Sequence, residues 1–224
     1  VRQFQAGQSL GPFTAKSVIG KHNMSMLCDK PVKTHGHHLC HAAAGFQTSP
    51  YSDATVVVID AIGELDTISI WHASYDHNGV ANYVKLWGKR YPDSIGLFYS
   101  AMTAKVGLRP LDEEYILMGM AAYGDKDKHL AELKTLINED ELSFKHNLHV
   151  GLPDKFLDDA NDMDLAASSQ YLVESMILTV MMKAKSLGIS NNLVYCGGVA
   201  LNCSANRLLG HLYKKIWIMP NPGD

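Results

Sequence analysis

The strongest hydrophobic pattern in the chain is the run Ala54 to Ile59, closed by Asp60 and followed by Gly63. An unbroken, β-branched stretch bounded by turn residues predicts a strand buried on both faces. Thr67 to Ala73 and Asn82 to Trp87 follow, the second after the turn Asp76-His77-Asn78-Gly79. Short connections make these antiparallel neighbours, so the three segments predict a meander. Ser94 to Gly107 reads as a helix stopped by its glycine, and 112–122 as a loop entering a second helix. Asp127 to Ile137 has amphipathic helical spacing, whereas 138–160 is polar and broken by Gly151 and Pro153. Asp164 to Leu187 predicts a long helix, capped by Asp164 and ended at Gly188. Asn192 to Cys196 is a short apolar strand running into Gly197-Gly198; Ala200 to Leu209 reads as helix and Ile216 to Met219 as the last strand. Residues 1–30 are polar and mixed. Strands in hairpin order, then helices, then a strand–Gly-Gly–helix–strand unit predict an α/β fold with a mixed sheet and flanking helices. The parallel pairs would come from the last unit.

Composition narrows the class. The chain has 224 residues, 46% hydrophobic and 19% charged, enough for one large domain or a domain and a half. Net charge is −3 with no long basic run, which disfavours nucleic acid as a partner. Cys28, Cys40, Cys196 and Cys203 form no Cys-x-x-Cys pair and read as reduced thiols of a cytoplasmic protein. No apolar stretch approaches the ~20 residues that span a bilayer, so no membrane contact is expected. Val1-Arg2-Gln3 and Pro222-Gly223-Asp224 both look like cuts inside a longer polypeptide.

The chemistry-bearing residues begin with His37 and His41. On a helix, positions four apart share a face with Cβ atoms about 5–6 Å apart, close enough for two imidazoles to grip one ion. A pair that merely caps or packs is the bland alternative. Asp60, at the carboxyl end of the first strand, offers an oxygen where ligands of open α/β sheets gather. Asp224 follows the last strand in the same way, and two such aspartates are a common grip on a divalent cation. Cys196-Gly197-Gly198-Val199-Ala200-Leu201-Asn202 lets backbone approach a ligand at a helix start, with Asn202 adding a polar group. Gly119 and Gly124 fit a close-packed turn facing a nucleotide, with a structural role as the alternative. Ser168 and Gln170 lie in the first turns of the long helix, within reach of a ligand there. Lys105, Arg109, Lys89 and Arg90 read as solvated cations before they read as phosphate contacts.

Taken in order, these motifs resemble a known family. His37-His38-Leu39-Cys40-His41-Ala42-Ala43-Ala44-Gly45-Phe46, Ser49-Pro50-Tyr51 and Val57-Val58-Ile59-Asp60 with Gly63-Glu64 are followed by Ser94 to Ser100, Glu114-Tyr115 and Met118 to Ala121 with Tyr123-Gly124. Asp164 with Ala166-Ala167-Ser168 and Gln170, Gly197 to Asn202, and Pro222-Gly223-Asp224 complete the series. From about residue 35 onward the chain is similar to the O-carbamoyltransferases of nodulation and antibiotic tailoring. The resemblance implies an actin/Hsp70-like (ribonuclease H-like) ATPase fold, incomplete at both ends, and one partial domain over 1–224 without the C-terminal carbamoyl-adenylate-forming domain. It implies carbamoyl transfer from carbamoyl-adenylate, made from carbamoyl phosphate and ATP, to a hydroxyl of a small molecule. His37, His41, Asp60 and Asp224 would hold a divalent metal, with iron the expected ion. Gly197, Gly198, Val199 and Asn202 would contact the adenylate, with Gly119, Ser168 and Gln170 nearby. The acceptor hydroxyl would then need a general base, for which His38 and a carboxylate are both candidates. A homodimer is among the expected assemblies. The family's usual opening strand with its own His-Asp pair is missing, so this piece alone is not expected to run the whole reaction. A threonylcarbamoyl-transfer relative acting on tRNA and a non-catalytic actin-like nucleotide-binding module are the alternatives.

Overall fold

The computed structural model describes residues 35–138 and 141–223; the polar N-terminal segment, Cys28 and Asp224 lie outside them. Helix α1 (His37–Thr48) leads into strands β1 (Asp53–Gly63), β2 (Asp66–Tyr75) and β3 (Ala81–Arg90). Helices α2 (Ile95–Lys105), α3 (Glu114–Met120) and α4 (Leu130–Lys134) follow, then β4 (Ile137–Asn138) and β5 (Ser143–Phe144). The long helix α5 (Asp162–Ser186), strand β6 (Asn192–Cys196), the short helix α6 (Cys203–Asn206) and β7 (Lys215–Ile218) complete the order.

One sheet, in the order β3-β2-β1-β6-β7, organises the molecule. β1 pairs antiparallel with β2 and parallel with β6, and β7 extends the parallel side. This is the expected meander with a parallel unit added, a mixed α/β arrangement with flanking helices. β1 is central because both its faces are apolar. Val57 and Ile59 point into a large core with α2 and α5, whereas Val56 and Val58 point into a smaller one with Ala42, Phe46 and Val194. Alternation along one strand therefore divides a continuous apolar run between two layers.

α1 covers the smaller core with His38, His41, Ala42, Gly45 and Phe46, a stripe at helical spacing. It comes close because Gly45 has no side chain: a Cβ there would sit 2.8 Å from Val194 Cγ1. On the other face, α5 buries Leu172, Val173, Ile177, Val180 and Met181 among others. α5 is long and apolar enough to cross a membrane by length and composition, which corrects the sequence reading, but 67% of that window is buried inside the protein. Ala166, Ala167, Ser168, Ser169, Met176 and Met181 are buried as in a core helix, whereas Met163 and Met182 are exposed.

Three local expectations are corrected. The amphipathic segment 127–137 forms only the short α4, because its end leaves the helix to pair as β4 with β5. The helix expected over 200–209 is broken: Gly198–Leu201 and Arg207–His211 are 3₁₀ turns flanking α6, with the Asn202 side chain capping Ala205 N. α5 is capped by Asn161, which accepts from Met163 N and Asp164 N, while Asp164 lies within the first turn. Among the described cysteines, Cys40 and Cys203 are exposed and Cys196 is buried, and all are free. Burial pushes the Cys196 thiol well above its ordinary range.

Candidate functional site

The carboxyl ends of β1 and β6 lie side by side, since Val58 pairs with Cys196. Beyond Ile59 the β1–β2 register slips, and pairing resumes only at Gly63 with Asp66. Such a bulge re-aims side chains, and Asp60 is the first residue released by it. α1 crosses this end with its first turn. His37 Nε2 lies 2.8 Å from Asp60 Oδ2, His41 Nε2 lies 3.4 Å from the same oxygen, and the two imidazole nitrogens are 3.0 Å apart. These ligand atoms fall within 4.8 Å of one another.

The three contacts cannot all be hydrogen bonds at once. Each Nε2 carries at most one proton. If both imidazoles donate to Asp60, two N–H groups face each other across 3.0 Å. If His41 donates to His37 instead, His37 Nε2 meets Asp60 Oδ2 lone pair to lone pair. Two nitrogens and one oxygen converging on a point are a donor set for a divalent transition metal with open positions. The residues present therefore fit such an ion. Burial alone would raise the Asp60 carboxyl, but hydrogen bonds from His37, His41 and the Ala61 N–H outweigh it and hold it far below the usual carboxylate range. Ala61 N donates to Asp60 Oδ1 at 2.8 Å, which leaves Oδ2 turned toward the histidines. Ser94, the cap of α2, donates to Ala61 O at 2.7 Å and ties that helix to the same loop.

His38 points the other way. It is 3% exposed, and its Nδ1 lies 2.6 Å from Ser69 Oγ, which accepts from Trp71 Nε1 at 2.7 Å. With that proton arriving from Trp71, the Ser69 hydroxyl hydrogen is available to Nδ1, which leaves the His38 proton on Nε2. Nε2 has no hydrogen-bond partner among the described residues. Burial pushes the ring down to about 4, so it is neutral at physiological pH.

Gly197 and Gly198 stand beside Asp60. Gly197 has φ +94° and its bare Cα faces Ile59 O, where a side chain would collide. A Cβ on Gly198 would be 3.1 Å from Asp60 Oδ1. Gly197 N donates to Pro222 O at 2.8 Å, which brings the end of the described chain to this turn. Val199 follows in the 3₁₀ turn and is partly buried. Asn202 and Gln170 come together, but on each other: Gln170 Nε2 donates to Asn202 Oδ1 at 2.9 Å and Asn202 Nδ2 donates to Gln170 Oε1 at 3.0 Å. Tyr99 and Glu174 close the network, at 2.6 and 3.0 Å from Gln170.

The remaining candidates lie elsewhere. Ser168 is fully buried and accepts from His129 N at 3.1 Å. Gly119 is not in a turn: it is an exposed position within α3, with open space where a Cβ would be. Gly124 does sit in a close-packed turn, against Met163 O. Lys105 pairs with Asp158, Arg109 with Asp112 and Glu113, and Arg90 with Asp66, each at the surface. Asp224 lies outside the described residues. Sequence reasoning missed Ser69 and Glu174, and placed Ser94 and Tyr99 in a motif without a role; Ser94 had a readable signal, a serine before an apolar helical run.

Comparison with known proteins now decides the family. The model of the carbamoyltransferase N-terminus matches residues 12–224. The chain belongs to that family. An uncharacterised protein of Synechocystis is 35% identical over 220 residues, covering 87% of this chain and 35% of that protein. The nodulation protein NolO of Bradyrhizobium diazoefficiens is 29% identical over 208 residues, covering 84% of this chain and 36% of NolO. The chain thus spans about a third of the length of these curated relatives. Component A of the (R)-2-hydroxyglutaryl-CoA dehydratase of Acidaminococcus fermentans aligns over 81% of this chain and 60% of its own, at 18% identity and a TM-score of 0.47. That distant likeness adds nothing to the fold already described.

Proposed function

We propose that this carbamoyltransferase N-terminus domain is the metal- and nucleotide-holding part of an O-carbamoyltransferase. The reaction would pass a carbamoyl group from carbamoyl-adenylate, made from carbamoyl phosphate and ATP, to a hydroxyl of a small molecule. The observation that carries the reading is the convergence of His37 Nε2, His41 Nε2 and Asp60 Oδ2 within 4.8 Å at the carboxyl end of the central strand. A divalent ion held there, with iron the expected one, would supply Lewis acidity toward phosphate and carbamoyl oxygens.

The chain's own residues have separable roles. His37 and His41 hold the ion from α1, and Asp60 holds it from β1, fixed by the Ala61 N–H. Gly198 leaves room for a ligand to come up to the Asp60 carboxylate. Gln170 and Asn202 act on the nucleotide through the turn they brace, since their amides are committed to each other. His38 serves as a brace of α1 on β2: as a base toward an acceptor hydroxyl it would first need the β1–β2 turn to lift away. Asp224 remains the proposed fourth ligand.

The intact protein should contain stoichiometric metal and release phosphate from carbamoyl phosphate only with ATP present. Metal analysis of the His37→Ala and Asp60→Ala variants should show that metal gone. Full retention in both would end the proposal.

A further inference from the structure

Gly63 lies buried at the far end of β1, immediately beneath the first turn of α1. Its φ is not in the left-handed region, so an alanine would suit the backbone there. What forbids a side chain is the two imidazoles. A Cβ on Gly63 would collide with His38 Cδ2 and would lie 2.7 Å from His37 Cδ2 and 2.8 Å from His38 Nε2. The bare Cα is the floor on which both rings rest.

We infer that Gly63 is a positioning residue of the metal site, setting the angle at which His37 presents Nε2 to Asp60. The inference rests on the metal reading of His37, His41 and Asp60. A methyl group at 63 has to displace both rings or the strand beneath them. His38 is held from behind by Ser69 Oγ at 2.6 Å, itself held by Trp71 Nε1 at 2.7 Å, and is 3% exposed. The His37 side chain is 22% exposed and its Cδ2 is in the path of the same methyl, 2.7 Å away. Whether the His37 ring shifts or the strand backs away from α1, His37 Nε2 and the Asp60 carboxylate no longer meet at the point they share with His41. A ligand displaced by a fraction of an ångström weakens a metal site far more than it weakens a fold.

Co²⁺ titrated into the metal-free intact protein tests this through its visible ligand-field absorption, with thermal unfolding followed in parallel. Gly63→Ala should weaken Co²⁺ binding at least about tenfold, the scale seen when groups that orient metal ligands are altered, and should change the band shape. Gly36→Ala, at a glycine with open space around its Cβ position, should change neither. Gly63→Ala/His38→Ala should bind Co²⁺ as His38→Ala alone does, because removing the trapped ring gives the methyl a place to go. The double variant also carries the test if Gly63→Ala does not fold. Wild-type affinity and spectrum in Gly63→Ala would overturn the inference. So would a double variant whose affinity stays below that of His38→Ala. A wild-type protein that takes up no Co²⁺ would overturn the metal reading itself, and this inference with it.

Discussion

Two buried polar clusters lie on either side of the Gly197–Asn202 turn, and they are built on opposite rules. In the network of Tyr99, Gln170, Asn202 and Glu174, both amide hydrogens and both carbonyl lone pairs of Gln170 are used by neighbouring side chains. In the cluster of His37, His41 and Asp60, no placement of protons satisfies all the short contacts at once. A closed network is complete without a ligand and serves the fold. The other leaves like groups facing each other, which the proposed cation would relieve. Residue type does not distinguish them, since both were expected to face a ligand; the count of donors against acceptors does.

The largest effect should come from opening the closed network. Gln170→Leu strands the Tyr99 hydroxyl, the Asn202 amide and part of Glu174, and should cost about 3 kcal/mol in urea denaturation, given about 1–3 kcal/mol for each buried polar group left unpaired. A loss under about 1 kcal/mol would mean that water already reaches the network. Closing the open cluster comes next. Divalent metal at a hundredfold excess over its dissociation constant should stabilise the wild type by about 2.7 kcal/mol. Asp60→Asn should abolish that increment; it should also destabilise the metal-free protein, because the carboxylate is bonded by Ala61 N and the histidines, so the increment is read against each protein's own metal-free stability. Ser94→Ala, which removes the α2 cap and its bond to Ala61 O, should cost about 1–2 kcal/mol and read as an ordinary cap. The smallest effect belongs to a surface reference, Asp53 with His72 at 2.6 Å. Burial there works against ionisation, yet bonds from Ser190 and His72 lower the Asp53 carboxyl overall. Its folded value lies below its unfolded one. The stability it adds is therefore complete above the unfolded pKa, about 3.9, and lost as pH falls through the folded value. Solvent screening holds this to a few tenths of a kcal/mol, so Asp53→Asn should flatten the acid limb of a stability–pH curve only slightly.

The sheet was legible because its strands carry long apolar runs, and β1 with its hairpin partners could be placed from them alone. β4 and β5 were not, since two residues each are too short for a period to show. The helix boundaries that failed were decided by single side chains. Asn161 and Asp164 are both good caps three positions apart, and Asn202 leaves the helix to cap it. His37, His41 and Asp60 were readable because spacing on one helix and a strand end are local facts. Ser69 under His38 was not, because it sits on a different strand and only the pairing of Ser69 with Val58 brings it there. The Gln170–Asn202 pairing likewise joins residues 32 apart that no local pattern connects.

Chain distance also orders these parts in time. His37 and Asp60 are separated by 23 positions, whereas the bond between Thr55 and Ser190 that helps seat β6 beside β1 spans 135. Short loops close faster than long ones, and a chain emerging from the ribosome at about 5–20 residues per second offers its N-terminal pieces first. The histidine–aspartate hairpin can thus gather before the glycine turn has been synthesised. A nascent chain would hold its proposed metal ligands together with half of the site still to come.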